Sequence, residues 1–231
     1  MGIIFSRVFK NAWILSLSNA IAGSTLPLMH LAGTLAGSSL APSPDWATAP
    51  IALMILGTAC SVIFVSKIMQ RYGRKKGIYS FLFLGVMVCF LAIMALQLQN
   101  FSLFCLASFA LGAFNATLLQ GRFAAMESVD LEYRATAASM FMGSGIIAAF
   151  VGPEIAIIGK VLFSAAYQGS FLLAIFCILL SALLLVLYTP PTMLKAESGS
   201  PHVSVKTLLT NPTFCLALAS GSIAYIVMSF I

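Results

Sequence analysis

Few side chains in this sequence could carry out acid–base chemistry inside its long apolar runs. Glu154 is the only carboxylate within an apolar segment, and His30 stands in the first such segment. An ionisable group in a membrane segment is typical of a functional site, for example a proton-binding site. Two structural alternatives stay open. Glu154 lies near the end of its segment, where water could solvate it, and His30 could be a hydrogen-bonded helix residue.

Nucleophilic chemistry lacks a complete set of groups. The run Met142-Gly143-Ser144-Gly145 has the outline of a protease serine motif, but a nucleophilic serine needs a base. The second histidine, His202, stands in a polar stretch, and Ser144 falls on a stripe of small residues. The sequence therefore predicts no enzyme. It also predicts no cofactor and no metal site, because the cysteines are dispersed among apolar segments without a CxxC pair.

Two series of polar and small residues recur at helical spacing. Residues of this kind on an apolar helix face the bundle interior or a watery cavity. One series comprises Ser16, Asn19, Gly23, Pro27 and His30, and the other comprises Ser108, Gly112, Asn115 and Arg122. We expect a substrate cavity lined by Asn19, His30, Ser108, Asn115 and Arg122. Hydrogen bonds between helices are the alternative role for each of these residues.

The composition requires a lipid environment for the elements that hold these residues. The chain is 61% hydrophobic and 8% charged, with a mean hydropathy of +1.04. These values exclude a water-soluble fold and make the lipid bilayer, not nucleic acid, the partner of a chain with net charge +6. The sequence predicts an all-α polytopic membrane protein, since uninterrupted apolar runs exclude barrel strands. The predicted helices span 12–33, 47–68, 77–97, 101–121, 136–158, 169–189 and 213–231.

The basic residues indicate an orientation. Of the 12 Lys and Arg residues, all except Lys160 fall on one side of this layout. Positive residues accumulate on the cytoplasmic side of membrane proteins. The sequence therefore predicts a multi-pass protein of the cell inner membrane with a cytoplasmic N-terminus.

The loop between the second and third helices, residues 66–76, carries a recognisable signature. It resembles the G-x-x-x-D-R-x-G-R-R loop of the major facilitator superfamily, which Arg71, Gly73, Arg74 and Lys75 match. Ser66 and Gln70 replace the Gly and the Asp of that signature. Taken alone, the loop could equally be an ordinary positive-inside loop.

A second signature stands between the fourth and fifth helices. Glu127 precedes Arg134 by seven residues, and small residues follow, as in the same superfamily. The resemblance implies that Glu127 pairs with Arg71 or Arg74 as a cytoplasmic latch that gates the transporter. A solvated loop of mixed charge is the alternative.

The third signature, Ala148 to Pro153, is similar to the g-x-x-x-G-P motif of the fifth helix. Ala148, Gly152 and Pro153 carry it, within a stripe of small residues that also includes Ser144 and Ala156. Such stripes let membrane helices approach closely. The resemblance places this face against the opposite half of a transporter, and packing within one half is the alternative.

Together these motifs imply the six-helix N-terminal half of a secondary transporter, which moves a small-molecule substrate by alternating access. Residues 120–125 and 152–154 look like a bacterial group that includes riboflavin transporters. Two charges of the superfamily's drug exporters are absent, because Ser108 and Gln70 stand at their positions.

The chain divides into three parts by composition. Residues 1–189 form the six-helix half, 190–211 a polar cytoplasmic linker, and 213–231 a seventh helix. Since that helix stops without interfacial anchors, we expect a truncated seventh helix and a missing C-terminal half. A non-transporting membrane scaffold or a receptor-like protein is the alternative function.

Overall fold

The structure, a computed structural model, describes residues 9–163, 167–190 and 210–230. Six helices within these residues are long and apolar enough to cross a membrane. They confirm the predicted all-α class of multi-pass membrane protein. They are α1 (Lys10–Leu40), α2 (Ala49–Tyr72), α3 (Arg74–Gln97), α4 (Phe101–Glu127), α5 (Arg134–Lys160) and α6 (Gln168–Leu184).

Helix α1 extends beyond its predicted end at residue 33, reaching Leu40. Near its end, the Ser38 and Ser39 hydroxyls donate hydrogen bonds to carbonyls of the preceding turn and are thus satisfied within the helix. The helix is also irregular. Pro27 supplies no backbone N–H, and a π-helical turn follows at Met29–Gly33. His30 lies in that turn.

The boundaries of the other helices follow from capping and backbone geometry. The side chain of Asn100 accepts a hydrogen bond from the Leu103 N–H at 3.0 Å and so caps α4. Gly73 alone separates α2 from α3, with φ of +86° and ψ of 156°. Because this backbone region is open essentially only to glycine, Gly73 makes the sharp change of direction possible.

Close backbone approaches hold the bundle together. Gly57 of α2 lies against the backbone of α4, and Gly112 of α4 lies against the backbone of α2, so neither could carry a Cβ atom. Helix α1 is joined to α6 by the hydroxyl groups of Ser18 and Ser181, which lie 2.6 Å apart. These two contacts are made by small residues, which let membrane helices approach closely.

A separate unit begins beyond residue 191. Its helix α7 spans Pro212–Phe230. The Asn211 side chain accepts a hydrogen bond from the Thr213 N–H at 3.0 Å and so caps the helix, in which Pro212 occupies the first position. Most of the predicted linker, with Lys195, His202 and Lys206, lies outside the described residues, as does Arg7.

Candidate functional site

A cavity of about 350 Å³ opens between α1, α4 and α5. Four of the five predicted cavity residues line it, namely Asn19, His30, Asn115 and Arg122. Phe141 of α5 adds an aromatic wall. The structure therefore brings the polar positions of two predicted helix faces into one space.

Several polar groups in the cavity are held in place by neighbouring helices. Asn19 donates to the Ser144 hydroxyl of α5 at 2.9 Å, and Asn115 donates to the Thr58 hydroxyl of α2 at 3.1 Å. The Asn115 Oδ1 atom is buried and accepts no hydrogen bond within the described residues. A buried acceptor of this kind is costly to leave unsatisfied, so it favours a donor from a bound molecule.

The two charged or titratable cavity residues are more exposed. His30 Nδ1 lies 2.9 Å from the Leu26 carbonyl oxygen. Since a carbonyl only accepts, this contact places a proton on Nδ1 and leaves Nε2 free to act as an acceptor in the neutral ring. The Arg122 guanidinium stacks over the Phe123 ring at 4.7 Å from its centroid.

Ser108 is not part of this cavity, which corrects the prediction from helical spacing. It is 1% exposed and donates to the Phe104 carbonyl one turn earlier at 2.8 Å. At this level of the bundle Ser108 borders a separate small space that Met29 and Phe171 also line. The face of α4 that borders the cavity at Asn115 is therefore covered two turns earlier.

An ion pair joins the two signature loops. Arg74 Nε donates to Glu127 Oε2 at 2.9 Å, and Arg74 Nη2 donates to Oε1 at 2.6 Å. Arg71 is not in this pair; its guanidinium lies over the Tyr72 ring at 5.5 Å. Arg134 begins α5 and is exposed. Of the two arginines that the resemblance offered, the geometry selects Arg74.

A second contact at this end of the bundle was not predicted from the sequence. Lys75 Nζ donates to the Val186 carbonyl at 3.0 Å and to the Tyr188 carbonyl at 2.6 Å. It thereby satisfies carbonyl groups just beyond the end of α6, as a cation near a helix C-terminus can. Asn11 of α1 adds a bond to the Thr189 carbonyl at 2.7 Å. The sequence hid this contact because residues 185–189 read as a continuation of the helix.

Tyr188 is buried near this ion pair and is 1% exposed. Burial raises the pKa of its phenol to about 12, and the nearby Glu127 carboxylate acts in the same direction. Arg74 opposes this effect. Tyr188 is therefore a buried phenol, close to Arg74 and Glu127, that keeps its proton at neutral pH.

The small-residue stripe of α5 packs inside this bundle, which corrects the expectation that it faces an opposite half. Gly152 lies so close to α1 that an added Cβ would come within 2.5 Å of the Ser24 carbonyl oxygen and 2.8 Å of Pro27 Cβ. Ala148 is buried beside Gly23, while Pro153 is half-buried. The stripe therefore joins α5 to α1.

Glu154 follows Pro153 and is exposed on α5. Its side of the helix is otherwise apolar and exposed, with Phe150, Ile157 and Ile158 as neighbours along the helix. The carboxylate takes part in no ion pair among the described residues. Glu154 lies outside the set of residues that line the cavity.

Comparisons with known proteins agree with this architecture. Residues 8–231 match the family model of the Major Facilitator Superfamily. The riboflavin transporter RfnT of Brucella anthropi is 28% identical over 96% of this chain and 56% of its own length. The uncharacterized MFS-type transporter YdeG of Bacillus subtilis is 28% identical over 79% of this chain and 43% of its own length.

A third relative extends the same pattern. The uncharacterized MFS-type transporter YddS of Bacillus subtilis is 26% identical over 88% of this chain and 49% of its own length. The chain thus spans about half the length of the curated relatives that it matches. No solved structure matches it significantly.

Proposed function

The chain belongs to the Major Facilitator Superfamily, a family of membrane transporters and not of enzymes, and from this premise we propose that it supplies one half of a secondary transporter. Residues 1–189 are the N-terminal six-helix half, 190–211 the linker, and α7 the first helix of a second half. The observation that carries the proposal is the cavity between α1, α4 and α5. Substrate sites in such transporters lie between two repeated halves.

The proposed setting is the bacterial inner membrane, with the N-terminus in the cytoplasm. The support is the charge distribution, because every Lys and Arg except Lys160 falls on one side of the layout. In this orientation the Arg74–Glu127 pair lies at the cytoplasmic ends of α3 and α4. The pair then acts as a latch that opens and closes with alternating access. Glu154 is a candidate for coupling transport to protons, because it is a carboxylate on an apolar membrane face.

The proposed substrate is a planar heteroaromatic molecule with several hydrogen-bonding groups, of which a flavin is the first candidate. Asn19, Asn115 and His30 offer donors and acceptors, and Arg122 offers a cation. The ring of Phe141 provides an apolar wall. The relative from Brucella anthropi, named as a riboflavin transporter, supports this choice.

Uptake of radiolabelled riboflavin tests the proposal. The measurement uses cells that produce the chain followed by a second half like that of its relatives. We expect Asn115→Leu to reduce uptake about tenfold at low substrate concentration, because the substrate loses a buried hydrogen-bonding partner. The matched control is Ser108→Ala on the same helix, which should leave uptake unchanged because Ser108 lies outside the cavity.

Each result has a defined meaning. Riboflavin uptake that is saturable and sensitive only to the Asn115 change supports the flavin substrate. Uptake of other small molecules, but not of riboflavin, would overturn the substrate and keep the transporter. Membrane insertion without uptake of any tested solute would favour a scaffold or receptor-like protein.

A further inference from the structure

A second and larger depression lies between α2 and α3. It has a volume of about 580 Å³ and shares no lining residue with the cavity. Tyr72 of α2 and Lys76, Phe83, Leu84 and Met87 of α3 are among the residues that line it. The groove is therefore an apolar channel on the bundle surface with a cation near one end.

The groove has the length of an acyl chain within one leaflet. Lys76, Leu84 and Met87 lie on one face of α3, since they stand at positions i, i+8 and i+11 of an α-helix. From Lys76 to Met87 the helix rises about 16 Å at 1.5 Å per residue. This rise is about half of the roughly 30 Å hydrocarbon core of a bilayer. If the third span begins at residue 77, as the sequence predicts, the groove begins at the membrane surface beside Gly73 and ends near the bilayer centre.

Its walls are apolar side chains that the bundle leaves uncovered. Phe83 is 67% exposed, Met87 48% and Tyr72 58%. Tyrosine is a residue of the membrane interface, where its ring meets lipid and its hydroxyl meets water. The position of Tyr72 at the loop end of the groove matches that preference.

The three consecutive cations at the start of α3 have different tasks. Arg74 pairs with Glu127, and Lys75 donates to the carbonyls of Val186 and Tyr188. Lys76 is exposed and, within the described part of the chain, neither donates a hydrogen bond nor joins an ion pair. Its charge is therefore available to a ligand at the mouth of the groove.

We propose that the groove between α2 and α3 is a binding site for an anionic phospholipid. The phosphate group contacts Lys76 and accepts a hydrogen bond from the Tyr72 hydroxyl. One acyl chain lies along Phe83, Leu84 and Met87. A zwitterionic phospholipid fits less well, because its ammonium group would face Lys76 and the basic loop that contains Arg71. This site does not depend on which solute the protein transports.

Native mass spectrometry of the purified chain, released from detergent in the presence of defined lipids, tests the site. The probes are phosphatidylglycerol, phosphatidylcholine of the same acyl length, and inorganic phosphate. We expect Lys76→Gln to weaken phosphatidylglycerol binding about fivefold, the loss for one Lys near a membrane surface. Lys67→Gln is the matched control, since Lys67 is an exposed cation of α2 that does not line the groove.

A second variant examines the acyl-chain part of the site. Leu84→Trp should fill the groove and weaken phosphatidylglycerol binding, while its circular dichroism spectrum stays that of the unchanged chain. The control Lys67→Gln should bind the lipid normally. Equal retention of phosphatidylglycerol and phosphatidylcholine would overturn the proposal. So would equal losses from the two lysine changes, or displacement of the lipid by millimolar phosphate, which would indicate a simple anion site.

Discussion

Among single residues, the ion pair of Arg74 and Glu127 combines favourable geometry with partial exposure. The two parallel hydrogen bonds form the bidentate arrangement that makes arginine–carboxylate pairs specific. The side chains are 18% and 45% exposed, so water screens much of the attraction. Pairs of this kind contribute about 0.5–1 kcal/mol to the free energy of unfolding. The pair therefore suits a latch, which has to open.

Charge reversal tests the latch. In a transport-competent protein we expect Glu127→Lys to impair uptake and Arg74→Glu, added to it, to restore part of the loss. The same exchange with Arg71→Glu should restore nothing, because Arg71 stacks on Tyr72 instead. Uptake rates of the single and double variants give the coupling. Restoration by both arginines alike would show general electrostatics and no specific pair.

Tyr188 predicts a limit to stability at alkaline pH. Its pKa in the folded chain, about 12, exceeds the ordinary value of 10.0. Because the unfolded chain loses the phenolic proton first, the free energy of unfolding should fall as pH rises from about 10 to about 12, by up to roughly 2–3 kcal/mol. Tyr188→Phe should flatten this decline in thermal unfolding curves, and an unchanged decline would contradict the prediction.

The position of a residue in the cavity was predictable from the sequence where the spacing along a single helix was enough to place it. Asn19, His30, Asn115 and Arg122 share the cavity because regular spacing put them on two facing surfaces. Ser108 has the same spacing, but it borders a separate small space that Met29 and Phe171 from other helices also line. Lys75 was recognised as part of a loop signature, yet its bonds to the end of α6 depend on chain more than a hundred residues away.

Whole helices were the most predictable elements, because length and apolar composition define a membrane span locally. Their ends were less so. Helix α4 continues to Glu127, past the predicted end at 121. The prediction stopped where the apolar run stops, but the helix extends into the polar residues that follow. The partner of the α5 stripe was also hidden, because small residues indicate a close approach without saying which helix approaches.

Gly152 tests the contact of α5 with α1. We expect Gly152→Ala to lower the stability by about 1–3 kcal/mol, since the new methyl group would meet the Ser24 carbonyl and the backbone of Leu28. The control is Gly145→Ala in the same helix, where nothing lies within 4 Å of the added atom. That change should be neutral or slightly stabilising. Thermal unfolding in detergent compares the two, and equal shifts would contradict the contact.

For the whole molecule, the proposed orientation can be measured directly. After replacement of the native cysteines, Asp45→Cys places a single thiol in the loop between α1 and α2, and Lys76→Cys places one in the first turn of α3. Both positions are exposed. A membrane-impermeant maleimide added to intact cells should label position 45, whereas labelling of position 76 should require permeabilised cells. Labelling of position 76 from outside would reverse the layout.

The half-length match to its relatives leads to a prediction about residues 1–231 alone. Insertion depends on the apolarity of each segment, whereas alternating access requires two halves. We expect the purified chain to insert into liposomes and to catalyse no flux of riboflavin. Saturable uptake that Asn115→Leu abolishes would contradict this and point to assembly of two copies into one transporter.

The facing glycines of α2 and α4 restrict how this sequence can evolve. A side chain at Gly57 would meet the backbone of Phe109, and one at Gly112 would meet the backbone of Met54 and Thr58. A compensating change in a neighbouring side chain cannot relieve either clash, because the obstacle is main chain common to all residue types. Substitutions of Gly57 and Gly112 are therefore excluded, and a change of a neighbouring side chain does not make them acceptable. At Ile63 and Phe64 on the exposed face of α2, by contrast, one apolar side chain can replace another without a clash.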